Sequence, residues 1–150
     1  MEPRVNLSKS DPAAYAALMA MNKAASEAAE RAGIDPKLCE LLKVRASQLN
    51  GCAYCLRMHT RDAIKLGEST DRLALVAAWA DSEYFTAVER AALALCESIT
   101  MVSIDHVPHG VYTMARAVLS DEQISAVAWL SAAINMFNRV AITSRYPVVP

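Results

Sequence analysis

Leu38-Cys39-Glu40-Leu41-Leu42-Lys43-Val44-Arg45-Ala46-Ser47-Gln48-Leu49-Asn50-Gly51-Cys52-Ala53-Tyr54-Cys55-Leu56-Arg57-Met58-His59 holds two helices and the break between them. Asp35-Pro36, just upstream, is a helix entry, because a proline in the first turn lacks an N–H that would have no partner there anyway. Leu38, Leu41, Leu42 and Leu49 follow before Asn50-Gly51, where glycine accepts the left-handed conformation that ends a helix. A second helix starts at Cys52 or Ala53 and runs to Gly67.

The same punctuation repeats along the chain. Ser10-Asp11-Pro12 opens an Ala-rich helix to about Arg31, stopped at Gly33. Ser69-Thr70-Asp71 opens another through Leu73, Val76 and Trp79 to about Ala80, broken at Asp81-Ser82. Thr86 with Glu89, and Ser120 with Gln123, have the spacing of capping boxes. The first starts a helix carrying Ala91, Leu93, Leu95 and Ile99; the second starts the last helix, to about Ser144. Val102 to Gly110 reads as a loop around Pro108, and a short helix follows to Leu119. About seven helices result and no alternating strand pattern is sustained, so the expected class is all-α. The connections are too short to divide the chain, which reads as one domain over 1–150 with a core of about 11–143.

The composition fits close helix packing: 54% of the 150 residues are hydrophobic but only 6% aromatic, so the surplus is small and aliphatic. The last helix is apolar nearly all round, through Val127, Trp129, Leu130, Ile134, Met136 and Phe137, as a helix central to a core or to a subunit contact would be. A net charge of −1 without a basic run argues against nucleic acid and membrane surfaces. The charge-free stretch from Gln123 to Asn138 is too short to span a bilayer, and Met1-Glu2-Pro3-Arg4 does not begin a secretory signal. The expected compartment is the reducing cytoplasm, where paired cysteines point to redox chemistry or metal rather than structure.

Of Cys39, Cys52, Cys55 and Cys96, only Cys52 and Cys55 form a CxxC, and His59 follows four residues after Cys55. At a helix start both sulfurs lie near unpaired backbone N–H groups and the positive end of the dipole, which favour thiolate. Spacing of three lets the sulfurs meet in a disulfide, and spacing of four puts His59 on the face of Cys55, able to take its proton. Cys55 is thus the better-placed nucleophile and Cys52 the partner that closes the disulfide. Two other readings stand beside this one. Zinc would require further ligands, and the nearest candidates, His106 and His109, straddle a proline loop far along the chain. Alternatively the cysteines only fill a helix interface. Glu40 lies in an apolar run, and periodicity alone favours its exposure; turned inward, it would suit proton transfer.

Glu40, Cys52, Cys55 and His59, set in Ser47-Gln48-Leu49-Asn50-Gly51-Cys52-Ala53-Tyr54-Cys55, resemble the core motif of the AhpD-like alkylhydroperoxidases of the carboxymuconolactone decarboxylase superfamily. Trp79, Phe85, Glu89-Arg90, Ile134-Asn135 and Asn138-Arg139 resemble its downstream blocks. The resemblance implies an all-α bundle assembled as a homo-oligomer, a trimer or hexamer. It implies that Cys55 is the peroxidatic cysteine, that Cys52 resolves the sulfenic acid as a disulfide, and that a buried Glu40 relays protons with His59. The implied partners are a hydroperoxide and a dithiol or protein reductant, with no cofactor and no metal. Tyr54 stands where well-characterised members carry a further relay histidine. A redox adaptor or sensor without peroxide turnover is an alternative reading, and the superfamily's decarboxylase branch supplies another, a lyase, although decarboxylation needs no dithiol.

Cys39 and Cys96 read as packed helix cysteines, His106 and His109 as loop residues, and Trp79, Trp129 and the methionines as core. Asn135 and Asn138 either hydrogen-bond within the core or line a pocket beside the dithiol.

Overall fold

The computed structural model describes residues 2–150, and no strand occurs among them. Helices α1 (Leu7–Ser10), α2 (Pro12–Arg31), α3 (Pro36–Asn50), α4 (Ala53–Lys65) and α5 (Thr70–Leu75) are followed by a 3-10 segment, Val76–Asp81. Then come α6 (Ala87–Thr100), α7 (Val102–Asp105), α8 (His109–Val118) and α9 (Asp121–Ser144). The all-α expectation holds, and the termini of the long helices are those that the sequence punctuates. Asp35 caps α3 through Lys37 N–H, and both capping boxes form: Thr86 with Glu89, and Ser120 with Gln123.

Three local expectations are corrected, which raises the helix count above seven. Leu7–Ser10 is a separate short helix because the Asn6 side chain caps it and Leu7 N–H reaches Ser144 Oγ at 3.0 Å. The helix expected to reach Ala80 leaves α geometry after Leu75, with Ala78 at φ −124°, ψ 31°. Beyond that kink the Trp79 indole N–H donates to Glu97 at 2.8 Å, and the Arg90 guanidinium gathers the Trp79, Ala80 and Ser82 carbonyls. These tertiary bonds outcompete helix continuation. Val102–Asp105 makes one helical turn inside the expected loop and ends at His106, whose φ is +50°.

Helices α3, α6 and α9 pack on one another, with α2 against α9, α4 against α3 and α9, and α8 against α6 and α9. Leu41, Leu42, Val44, Leu93, Leu95, Val127 and Leu130 are the fully buried filling between them. Small residues on the same faces, Ala46, Ala92 and Ala126, let the helices approach. The last helix is core on one side only: Trp129 is 55% exposed and Met136 49%, contrary to the expectation that tryptophan and methionine are core here, whereas Trp79 is buried. Met19, Met58, Met101 and Met114 are likewise exposed. Among the described residues no helix is long and apolar enough to cross a membrane.

Removing a cap should act on stability alone. Thr86→Ala deletes the acceptor for Glu89 N–H and should lower the unfolding free energy by about 1 kcal/mol in urea denaturation, with an unchanged m-value.

Candidate functional site

The start of α4 is fixed from both sides. Gly51 ends α3 at φ +68°, ψ +31°; a Cβ there would meet no neighbour, so the glycine answers to backbone conformation and not to space. Cys52 N–H donates to Ser47 O, closing the turn, and Cys52 is the N-cap of α4, its sulfur accepting Cys55 N–H at 3.3 Å. The two sulfurs are joined as a disulfide whose Cα atoms lie 5.3 Å apart. Cys39 and Cys96 are free, and burial pushes both thiols up to about 11, so they are inert neighbours.

The turn is tied to the far side of the bundle by amides. Asn50 Nδ2 donates to Asn135 Oδ1 at 2.9 Å and to Asn138 Oδ1 at 2.8 Å. Asn138 Nδ2 continues to Ser47 Oγ at 3.0 Å, and Asn135 Nδ2 to Thr100 Oγ1 at 2.9 Å. Of the two roles left open for Asn135 and Asn138, the structure gives them core hydrogen bonding; neither lines the cavity beside the dithiol. Their partner Asn50 immediately precedes the turn, so this network locks α9 to the residue that sets where α4 begins.

Burial settles Glu40 against the reading from periodicity: it is 8% exposed. His59 Nδ1 lies 2.8 Å from Glu40 Oε2, and Lys43 Nζ donates to Glu40 Oε1 at 2.7 Å. Burial pushes the Glu40 carboxyl up, but the hydrogen bond with His59 and the charge and hydrogen bond of Lys43 outweigh it, holding the group below the usual carboxylate value. Because the carboxylate accepts, His59 Nδ1 donates at this contact, and among the described residues no hydrogen bond engages Nε2.

A cavity of about 200 Å³ opens beside this group. Cys55 and His59 line it; Cys52, 1% exposed, lies behind. The wall is apolar, with Met19, Met58, Ile134 and Phe137, and Tyr54 meets Tyr146 edge-on at 5.1 Å between ring centroids. Tyr146 also packs on the buried cluster of Cys52, Cys55 and Ala141. Burial, reinforced by the nearby Tyr146 and Tyr54 phenols, pushes the Tyr15 hydroxyl up.

Glu40, His59 and Asp62 bring ligand atoms within 4.8 Å of one another, but the place of a cation beside Glu40 is taken by the Lys43 ammonium, and Asp62 pairs with Lys65 at 3.0 Å. His106 and His109 are exposed at the α7–α8 connection, and neither lines this cavity. The structure thus brings Glu40, Cys52, Cys55 and His59 together. Sequence reasoning missed Lys43, Tyr15 and Tyr146. The place of Lys43, one helical turn after Glu40, was the available signal for the first; nothing local marks the tyrosines, which come from α2 and the tail after α9.

Three comparisons bear on this arrangement. The sequence model of the carboxymuconolactone decarboxylase family matches residues 12–98. The uncharacterized protein YdfG of Bacillus subtilis is 34% identical over 142 residues, covering 95% of this chain and 94% of that one. The crystal structure of ATU0492 from Agrobacterium tumefaciens, a protein of unknown function for which an AhpD antioxidant-defence role has been suggested, superposes with a TM-score of 0.88. It is 32% identical and the match covers 99% of this chain and all of that one.

Two expectations follow. Asn138→Ala strands Ser47 Oγ and one Asn50 donor, and should cost about 2 kcal/mol by urea denaturation. A carboxyl held below its unfolded value contributes stability that is full above that value and lost as pH falls through the folded one. The stability gap between wild type and Glu40→Gln should therefore be largest near pH 7 and shrink from about pH 5 downward; a gap independent of pH would contradict the ionised, paired Glu40.

Proposed function

Because the chain belongs to the AhpD-like carboxymuconolactone decarboxylase family, we propose that it is a thiol-dependent peroxidase reducing hydroperoxides through the Cys52–Cys55 pair. The observation that carries this reading is an asymmetric pair: a disulfide at a helix start with only Cys55 on the cavity, beside His59 held by Glu40. The disulfide form is the oxidised end of the cycle.

In the reduced form, His59 Nε2 takes the Cys55 thiol proton, and the helix start favours the resulting thiolate. The thiolate attacks one peroxide oxygen. An S–O bond forms, the O–O bond breaks, and the departing alkoxide or hydroxide leaves as alcohol or water with the proton that His59 returns. Cys52 then attacks the Cys55 sulfenic sulfur; the disulfide forms and water leaves. A dithiol reductant attacks Cys55 from the cavity, forming a mixed disulfide and expelling Cys52 as a thiolate facing Cys55 N–H, the same donor its sulfur now engages. The reductant's second thiol then attacks its own sulfur in that mixed disulfide, releasing Cys55 as a thiolate and leaving the reductant as a disulfide, which closes the cycle. Reductant and product are balanced: two electrons enter as a dithiol and leave in the alcohol or water.

Tyr54 occupies the place of the family's further relay histidine, so in this chain His59 and Glu40 carry the proton transfer without it. Apolar walls fit a hydroperoxide with a hydrocarbon body. The protein operates in the cytoplasm as a homo-oligomer on this reading.

Hydroperoxide titration of the reduced protein should consume two thiols per chain and form the Cys52–Cys55 disulfide. Cys55→Ser should abolish turnover, and Cys52→Ser should leave a sulfenic acid on Cys55 that a dione probe traps. Turnover that survives Cys55→Ser would refute the assignment. A disulfide formed without any turnover would favour a redox adaptor.

A further inference from the structure

Lys43 belongs to neither the CxxC motif nor the relay that the family resemblance supplies, yet it holds the second oxygen of the relay carboxylate. Glu40 divides its oxygens between two partners, Oε2 to His59 Nδ1 at 2.8 Å and Oε1 to Lys43 Nζ at 2.7 Å. Lys43 also has a distinctive place. Besides the dithiol cavity, a second, more open cleft is bordered by Cys39 and Glu40 of α3 and by Glu30 and Asp35. Among the described residues Lys43 is the one side chain that lines both. Cys55 and His59 face the cavity; Glu40 faces the cleft.

We propose that Lys43 is a positioning residue for the dithiol: it is the counter-ion that fixes the proton of the Glu40–His59 pair on Nδ1, leaving Nε2 to serve Cys55. This rests on the reading of Cys55 as the attacking sulfur.

The charge inventory around Glu40 gives the reason. From α3 it is faced by Lys43 and by Cys39, whose thiol burial pushes up to about 11 and keeps neutral. From α4 it is faced by His59 and by Asp62, with ligand atoms of Glu40, His59 and Asp62 within 4.8 Å of one another. Glu30 and Asp35 add further negative charge along the cleft. Without Lys43 two carboxylates would face one imidazole with no buried cation to offset their charge. Lys65 does not replace it, because it pairs with Asp62 at the surface, where its own side chain is 75% exposed and solvent screens the charge. The Lys43 side chain is 15% exposed, so its charge acts through protein. Deleting a cation at this place makes every proton in the unit harder to remove, so the reactivity of Cys55 should rise only at higher pH.

The test reads Cys55 directly and needs no peroxide. Reduced protein in a Cys52→Ser background is alkylated with iodoacetamide across pH 4–10, and Cys55 labelling is followed by peptide mass spectrometry, which separates it from Cys39 and Cys96. Lys43→Met and Lys43→Gln should move the acid limb of the Cys55 profile up by about one pH unit. Lys43→Arg keeps the charge and should stay within a few tenths of a unit of the parent, as should Lys65→Met. Helical circular dichroism identifies any variant that fails to fold, and the comparison of Gln with Arg then carries the result. An unmoved limb in the neutral variants, or an equal shift in Lys65→Met, would overturn the proposal. Failure of the peroxidase reading is seen separately, as a parent Cys55 that alkylates with the profile of an ordinary free thiol; the shift between variants is readable in either case.

Discussion

A single side-chain amide sets the geometry on which the site depends. Asn50 Nδ2 is shared between Asn135 and Asn138 of α9, and it stands one residue before the left-handed Gly51 and two before the N-cap Cys52. The amide is half-buried and its two acceptors, Asn135 and Asn138, are buried, so breaking these bonds would cost on the order of 1–3 kcal/mol. Register and function are thereby coupled. If α3 ended a residue earlier or later, Asn50 would lose α9 and Cys52 would lose its place as a cap.

The electrostatic design follows from that placement. Cys52 and Cys55 are nearly without solvent, so in the proposed cycle the cost of a thiolate would be met by oriented dipoles and by a proton acceptor instead of water. His59, the acceptor on the proposed mechanism, lies one helical turn beyond Cys55, and its orientation comes from a carboxylate on a different helix. The carboxylate is in turn made tolerable in the bundle by Lys43. Each group offsets the burial of the next, and among the described residues no buried side-chain nitrogen or oxygen is left without a hydrogen-bond partner.

The parts legible in the sequence were those decided locally. Asp35-Pro36, Asn50-Gly51, Thr86 with Glu89 and Ser120 with Gln123 mark helix ends because each cap is made within a few residues. The CxxC and His59 were equally visible, since i and i+4 share a face. What was not legible depends on distant partners. The 3-10 turn at Val76–Asp81 answers to Glu97 and Arg90, and α1 to Ser144. Glu40 was misplaced by periodicity because α3 has scarcely any exposed face: Leu38, Glu40, Leu41, Leu42, Val44, Ala46 and Ser47 are buried and the polar Lys43, Arg45 and Gln48 are half-buried, so no clean stripe reports orientation. Family resemblance placed the residue correctly where the pattern of its own helix could not. The tyrosines at the cavity mouth lie far apart in sequence and meet only because the tail after α9 returns over the disulfide.

The central claim is that this scaffold makes Cys55 an activated thiol for hydroperoxide. The most direct measurement is the stopped-flow rate constant for oxidation of the fully reduced protein by an organic hydroperoxide at pH 7, set against free cysteine under the same conditions. The account predicts a reaction much faster than that of the free thiol, ending in the Cys52–Cys55 disulfide. A rate no greater than that of free cysteine would contradict it.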